Sequence, residues 1–164
     1  MLVNITNEKE MTKIKFAPRE IFETILEWAV MPTFDLVIKY GNEGIILVKR
    51  KIPPYKDQWA LPGLRIYKGE NIDDTLKRIA KQELGLKINP QKRIFLGQFV
   101  GKFKTEQNRQ DLSTGYLIKI SGQEKIKINQ EHFSGLKIIK KIPSGLPAMY
   151  NYYLKQYNNL RKEQ

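Results

Sequence analysis

Between Trp59 and Leu86 the chain reads WALPGLRIYKGENIDDTLKRIAKQELGL, a segment holding Glu70, Arg78 and Glu83 within a helix-compatible stretch. Glu83 offers a hard anionic oxygen. Such a carboxylate serves as a ligand for a hard cation or simply as an exposed helix acid, and spacing alone does not choose between them. Glu70 stands beside the expected helix start, where it suits the helix dipole or an ion pair with Arg78; that structural role is favoured over ligation. Arg78 is read as an organiser of the same turn. His132 is the sole histidine and lies between Glu131 and Phe133-Ser134-Gly135. An imidazole of ordinary pKa, about 6.5, removes a proton from water near neutrality. A solitary histidine is also commonly a structural or solvated group, and both readings stand at this point. Without cysteine, disulfides, thiolate metal sites and thiol catalysis are excluded together.

These side chains need a scaffold, and the patterning supplies one. Pro18 to Val30 spaces Ile21, Ile25, Trp28 and Ala29 along one helical face. Thr33 to Tyr40 and Gly44 to Arg50 are apolar strand-like runs joined by the hairpin signal Gly41-Asn42-Glu43. Lys51 to Gln58, with Pro53-Pro54, reads as a loop, and Trp59 to Leu64 as a short strand ending in a turn. Asn71 or Asp73 caps a helix running to about Leu84, with Ile72, Leu76, Ile79, Ala80 and Leu84 as its apolar face and Gly85 as its stop. Arg93 to Phe103 and Thr114 to Ile120 read as paired strands around the polar loop Lys104 to Ser113. Lys125 to Ile128 and Leu136 to Ile142 read as further short strands. A last helix from about Pro147 to Arg161 carries Tyr150, Tyr153, Leu154 and Tyr157 on one face. Flanking helices with runs of strands between them predict an α/β or α+β sandwich around a mixed sheet.

A chain of 164 residues, 41% hydrophobic, fits one globular unit over residues 1–164, with a core of about 31–163 and an N-terminal helix of about 18–30. No apolar run approaches the roughly 20 residues of a membrane-spanning helix. The start, MLVNITNEKEMTKIKF, lacks the apolar core of a secretory signal, so a cytoplasmic location is expected. Twenty-nine Lys+Arg against 17 Asp+Glu leave a net charge of +12, which suits polyanionic partners. The basic residues are scattered, and Lys alternating with Ile reads as solvated strand faces. A dedicated nucleic-acid surface is the less favoured reading.

The segment from Trp59 to Leu86 resembles the Nudix box, G-x5-E-x7-R-E-U-x-E-E-x-G-U with U apolar. Glu70, Arg78, Glu83, Gly85 and Leu86 fall on its positions, and Leu61-Pro62-Gly63 and Gly69-Glu70 also look like the family. Three positions depart from it: Leu64 stands where Gly is usual, Ile79 where the Glu after Arg is usual, and Gln82 where the first Glu of the pair is usual. Loss of those carboxylates makes a cluster of two or three cations hard to support and leaves Glu83 for a single ion.

A similar depletion marks the GDP-mannose mannosyl hydrolase branch of the Nudix family, and this chain is similar to that branch over roughly 33–157. Asp35, Lys49-Arg50, Arg65, Gly97-Gln98-Phe99, Asp111 to Tyr116 and Glu131-His132 carry the likeness beyond the box. The resemblance implies a Nudix-type sandwich, a magnesium-dependent hydrolase with manganese as a substitute ion, and a nucleotide sugar such as GDP-mannose as substrate, cleaved at the anomeric carbon–oxygen bond to sugar and GDP. It implies the Gly63 carbonyl, Glu83 and Glu131 as metal ligands, with Glu131 standing where the branch has Gln. It further implies His132 as general base, Arg50 and Arg65 as cations beside the departing diphosphate, Asp35 as a substrate contact, and a homodimer. The alternatives are a Nudix pyrophosphohydrolase cleaving phosphorus–oxygen bonds in ADP-ribose, a nucleotide sugar or a nucleoside triphosphate, and a Nudix-fold nucleotide- or RNA-binding module without catalysis.

Overall fold

A computed structural model describes residues 16–105 and 107–163. The polar start lies outside the described residues except for Phe16. The first helix, α1, spans Arg19–Trp28. Pro18 precedes it, as suits a residue with no amide hydrogen to leave unpaired. Its apolar face bears no buried residue; Ile21, Ile25 and Trp28 are exposed, Trp28 at 80%.

Strands β1 (Met31–Tyr40) and β2 (Gly44–Arg50) form the expected hairpin, with Tyr40 opposite Gly44. Both are buried on the two faces of the sheet, which explains their continuous apolar runs. Then come β3 (Trp59–Ala60), β4 (Gly63–Arg65), α2 (Ile72–Leu84), β5 (Ile94–Lys102), β6 (Gln110–Ile120), β7 (Phe133–Ile139) and α3 (Ala148–Lys162). The sheet runs β3-β2-β1-β6-β5, with β4 on β1 and β7 on β2. Strand β6 is parallel to β1 along its length and antiparallel to β5. This is the mixed sheet with flanking helices that the patterning predicts.

The two hairpin strands pair only near their turn, at Lys39↔Ile45 and Tyr40↔Gly44. Further along, β1 takes β4 as its antiparallel partner, from Thr33↔Arg65 to Asp35↔Gly63, while β2 takes β3 and β7. Asp35 on β1 and Arg50 at the end of β2 therefore stand on strands that have parted company, and the split leaves room between them. Helix α2 lays Leu76, Ile79, Ala80 and Leu84 into the core as expected, but Ile72, expected on the same face, is exposed at the first turn. Helix α3 does the same with Met149, Tyr150, Tyr153, Leu154 and Tyr157. These side chains join Leu36, Ile38, Ile46 and Leu47 of the sheet in one cluster of buried residues. No helix of the described residues is long and apolar enough to cross a membrane.

Three expectations need correction. Strand β6 begins at Gln110, four residues before the expected Thr114 and inside the expected loop, because Gln110 pairs with β5 and residues 111–113 pair with both β1 and β5. Residues 125–128 are not a strand: the Lys127 amide donates to the Leu84 carbonyl (2.8 Å) and the Asn129 amide to the Glu83 carbonyl (2.9 Å). The segment satisfies the orphan carbonyls at the end of α2 instead of joining the sheet. Strand β7 starts three residues before the expected Leu136, and its Leu136 is exposed while Lys137 lies 4.1 Å from the Trp59 ring, so the lysine there is not simply turned to water.

Candidate active site

Helix α2 begins at a capping box. Asn71 accepts from the Asp74 amide (2.9 Å), and Asp74 accepts from the Asn71 amide (3.3 Å). It ends at Gly85, left-handed at φ 67°. Ahead of the cap, Glu70 accepts from Arg78 Nε (2.5 Å) and Nη2 (2.8 Å), from the Tyr67 amide (3.0 Å) and from Thr75 Oγ1 (2.9 Å). Burial alone would push the Glu70 carboxyl up, but these hydrogen bonds outweigh it and hold the group below its ordinary value. Arg78 Nη2 also donates to the Arg65 carbonyl (2.8 Å), and its guanidinium lies 3.6 Å from the Tyr67 ring centroid. Glu70 and Arg78 thus pin β4 to α2, the structural role expected of both.

The last turn of α2 buries Glu83 to 1% exposure. Across from it, His132 Nδ1 lies 2.8 Å from Glu83 Oε1. Asn129 Nδ2 approaches the same oxygen at 3.4 Å and His132 Nδ1 at 3.3 Å. Burial pushes the Glu83 carboxyl up, while His132, Asn129 and the more distant Arg50 pull it back only in part. An incompletely compensated buried acid favours a cation beside it. Because Nδ1 faces the carboxylate, Nε2 is the ring nitrogen left for water or substrate.

His132 also lines a cleft of about 360 Å³, along with Asp35, Arg50, Gly63 and Arg65. The split between β1 and β2 opens here. Asp35 is only 4% exposed, and burial pushes its carboxyl up to about 7 against the pull of the Ser113 hydrogen bond and of Arg50 and Arg109. Ser113 Oγ donates to Asp35 Oδ2 (2.5 Å) and accepts from the Tyr153 hydroxyl (2.8 Å). Arg50, 9% exposed, donates to the Pro54 carbonyl (2.6 Å) and more weakly to those of Pro53 and Ile52. Its positive charge is held by neutral carbonyls, and no carboxylate of the described residues forms an ion pair with it. The Arg65 guanidinium lies 4.4 Å from the Phe22 ring centroid and 5.0 Å from that of Tyr67.

Residues 30–140, more than half the chain, match the NUDIX domain family. The chain belongs to that family. Among curated proteins, the low-salt glycan biosynthesis protein Agl8 of Haloferax volcanii is 27% identical over 152 residues, covering 90% of this chain and 92% of its own. Among solved structures, a MutT protein of Methanosarcina mazei aligns at a TM-score of 0.66 and 13% identity, over 80% of this chain and 96% of that one. The NUDIX domain of Shewanella oneidensis NrtR, crystallised with ADP ribose, aligns at 0.64 and 18% identity, over 81% and 89%. Likenesses at such identity show the fold and nothing finer.

The Nudix frame explains the departures from the box. Ile79 is fully buried in the core, and Gln82 is an exposed acceptor for Arg78 Nη1 at 3.3 Å. Leu64 is not in the left-handed region, so its turn has no need of glycine. Gly63 does need to be glycine: an added Cβ there would lie 2.7 Å from the Phe34 carbonyl oxygen and closer still to the Asp35 carboxylate. Nudix hydrolases generally use divalent metals such as Mg2+. Among the described residues no group of three or more His, Cys, Asp or Glu is placed to hold an ion. One buried acid and a neutral carbonyl are a donor set that suits a largely hydrated magnesium ion and not a multi-ion cluster.

Asp35, Arg50, Gly63, Arg65 and His132 meet at the cleft, with Glu83 directly behind the histidine. Glu131 is exposed and does not line the cleft; its amide donates to Asn129 Oδ1 (3.0 Å). Sequence reasoning assigned no role to Asn129, or to Arg109 and Asp111. Arg109 Nε and Nη2 grip the two oxygens of Asp111 at 2.7 and 3.0 Å on the cleft wall. Arg109 lies just before β6 and Asp111 inside it, and their opposite charges two residues apart were the available signal. Asn129, in a polar loop, offered none.

Proposed function

We propose that this protein is a magnesium-dependent Nudix hydrolase of nucleoside diphosphate derivatives, acting on a nucleotide sugar of the GDP-mannose type at its anomeric carbon–oxygen bond. The observation that carries the reading is His132: it lines a cleft rich in arginine while its Nδ1 is held by the buried acid of the Nudix helix. Held in that way, the imidazole keeps Nε2 free to take a proton from water, and the forming imidazolium is stabilised by Glu83. Arg50 and Arg65 face the diphosphate, where their attraction grows as negative charge builds on the leaving group. Magnesium, when held by Glu83 and the Gly63 carbonyl, would add charge stabilisation to the same oxygens. Glu131 is the proposed third ligand, which requires its exposed side chain to turn toward the ion. Asp35, at the cleft wall, contacts the substrate. A homodimer and a cytoplasmic location complete the proposal.

The test is hydrolysis of a nucleotide-sugar panel in heavy-oxygen water with magnesium. Label in the sugar, with inverted anomeric configuration, is the expected result. Label in phosphate would assign phosphorus–oxygen cleavage instead. No turnover, together with tight and steeply salt-sensitive RNA binding, would assign the binding module.

A further inference from the structure

Beside the cleft lies a second compartment of about 450 Å³ whose wall shares Pro53, Pro54 and Arg109 with it. The two hollows therefore adjoin at Arg109, whose guanidinium Asp111 fixes through two hydrogen bonds. An elongated molecule crossing both would place its anionic middle at Arg109. The cleft already holds the reactive histidine and Arg50, so the far compartment receives the end of the substrate away from the scissile bond.

The chemistry of that compartment is two-sided. Pro53, Pro54 and Leu26 of α1 give it apolar surface on which a flat ring can lie. Lys104, Thr105 and Gln107 give it a polar edge. Thr105 Oγ1 accepts from the Arg109 amide (3.0 Å), which leaves its hydroxyl hydrogen to donate outward. The ammonium of Lys104 and the guanidinium of Arg109 have only donors. Gln107 adds two donors and one acceptor, so among the described side chains donors outnumber acceptors at this edge, which matches ring carbonyls better than exocyclic amines.

We propose that this compartment is a nucleobase pocket in which Lys104 and Gln107 read purine position 6 or pyrimidine position 4, selecting guanine and uracil, which carry a carbonyl oxygen there, over adenine and cytosine, which carry an amine. The inference rests on the reading of the cleft as a nucleoside diphosphate site and adds where the base goes and what reads it. Lys104 is exposed, so its replacement leaves the core intact.

The experiment is calorimetric titration of the intact protein, in magnesium, with GMP, UMP, AMP, CMP and ribose 5-phosphate, repeated on Lys104→Ala and Gln107→Ala. GMP and UMP are expected to bind about tenfold or more tightly than AMP and CMP. That gap should close in Lys104→Ala and narrow in Gln107→Ala, with ribose 5-phosphate binding unchanged in both. Equal affinity for all four nucleotides would overturn the proposal. So would a loss of ribose 5-phosphate binding in Lys104→Ala equal to that of GMP, because the lysine would then be a phosphate contact. The titration needs no turnover. Base selection without hydrolysis of any nucleotide sugar would sink the hydrolase reading and leave the pocket standing; hydrolysis without base selection would do the reverse.

Discussion

His132 Nδ1 and Glu83 Oε1, forty-nine residues apart in the chain, lie 2.8 Å apart in the fold. The contact exists because the chain after α2 turns back along the helix end, donating from Lys127 and Asn129 to the last helical carbonyls. One strand of backbone therefore both caps the helix and delivers the histidine to its acid.

Proton removal by this pair should dominate the rate. His132→Gln is expected to lower kcat on a nucleotide sugar by about 10²- to 10⁴-fold, with a smaller change in KM. Glu83→Gln should fall as far, and the double variant little further, because the two groups act as a unit. Steady-state kinetics on the three variants checks this. Losses that multiply would show that the residues work separately.

Asn129 touches both members of the pair and also receives the Glu131 amide. Asn129→Ala should cost about tenfold in kcat, the usual scale for an orienting partner. Its effect on stability should be about 1–2 kcal/mol, from lost hydrogen bonds at a half-buried site. Urea unfolding alongside kinetics separates the two effects.

The buried Asp35 carboxyl, raised from 3.8 to about 7, makes stability depend on pH. Below about pH 4 the group is neutral folded or unfolded and costs nothing. Between about pH 4 and 7 the unfolded chain gives up its proton while the native one keeps it, so stability falls as pH rises, by up to about 4 kcal/mol. Asp35→Asn should remove that slope and leave the variant more stable than the parent at pH 8 but not at pH 4. Urea denaturation at both values measures it; an unchanged difference would contradict a costly ionised acid.

Arg78 and Glu70 have side chains only 11% and 8% exposed. Arg78→Ala leaves Glu70 buried without its cation and should destabilise by about 3–5 kcal/mol. Arg78→Lys should recover only part of this, since a lysine cannot reach both carboxylate oxygens and the Arg65 carbonyl in one plane. Thermal unfolding of the two variants reads the difference.

Removing divalent cations should abolish turnover while lowering the thermal midpoint only by the small amount that loss of a weakly bound ion costs. The ends of α2 are already closed by the capping box, Gly85 and the 127–129 segment, so the helix needs no ion to form. Manganese added back should restore the rate. A large fall in midpoint on chelation would instead make the ion a structural one.

Local chemistry made much of this fold legible in the sequence. Alternation and apolar runs marked β1 and β2, Asn71 and Gly85 bracketed α2 within a residue, and tyrosines at helical spacing marked α3, because each signal depends on neighbours a few residues away. The Glu70–Arg78 pair was legible for the same reason. Residues 125–128 were not: their Lys-Ile alternation mimics a strand, and only the unsatisfied carbonyls of a helix some forty residues earlier decide otherwise. The grip of Asn129 on Glu83 and His132, the parting of β1 from β2 that opens the cleft, and the shared Arg109 wall are likewise tertiary facts. Residue types announced an acid, a base and cations. Which acid met the base depended on long-range backbone hydrogen bonds, and those leave no local pattern in a sequence.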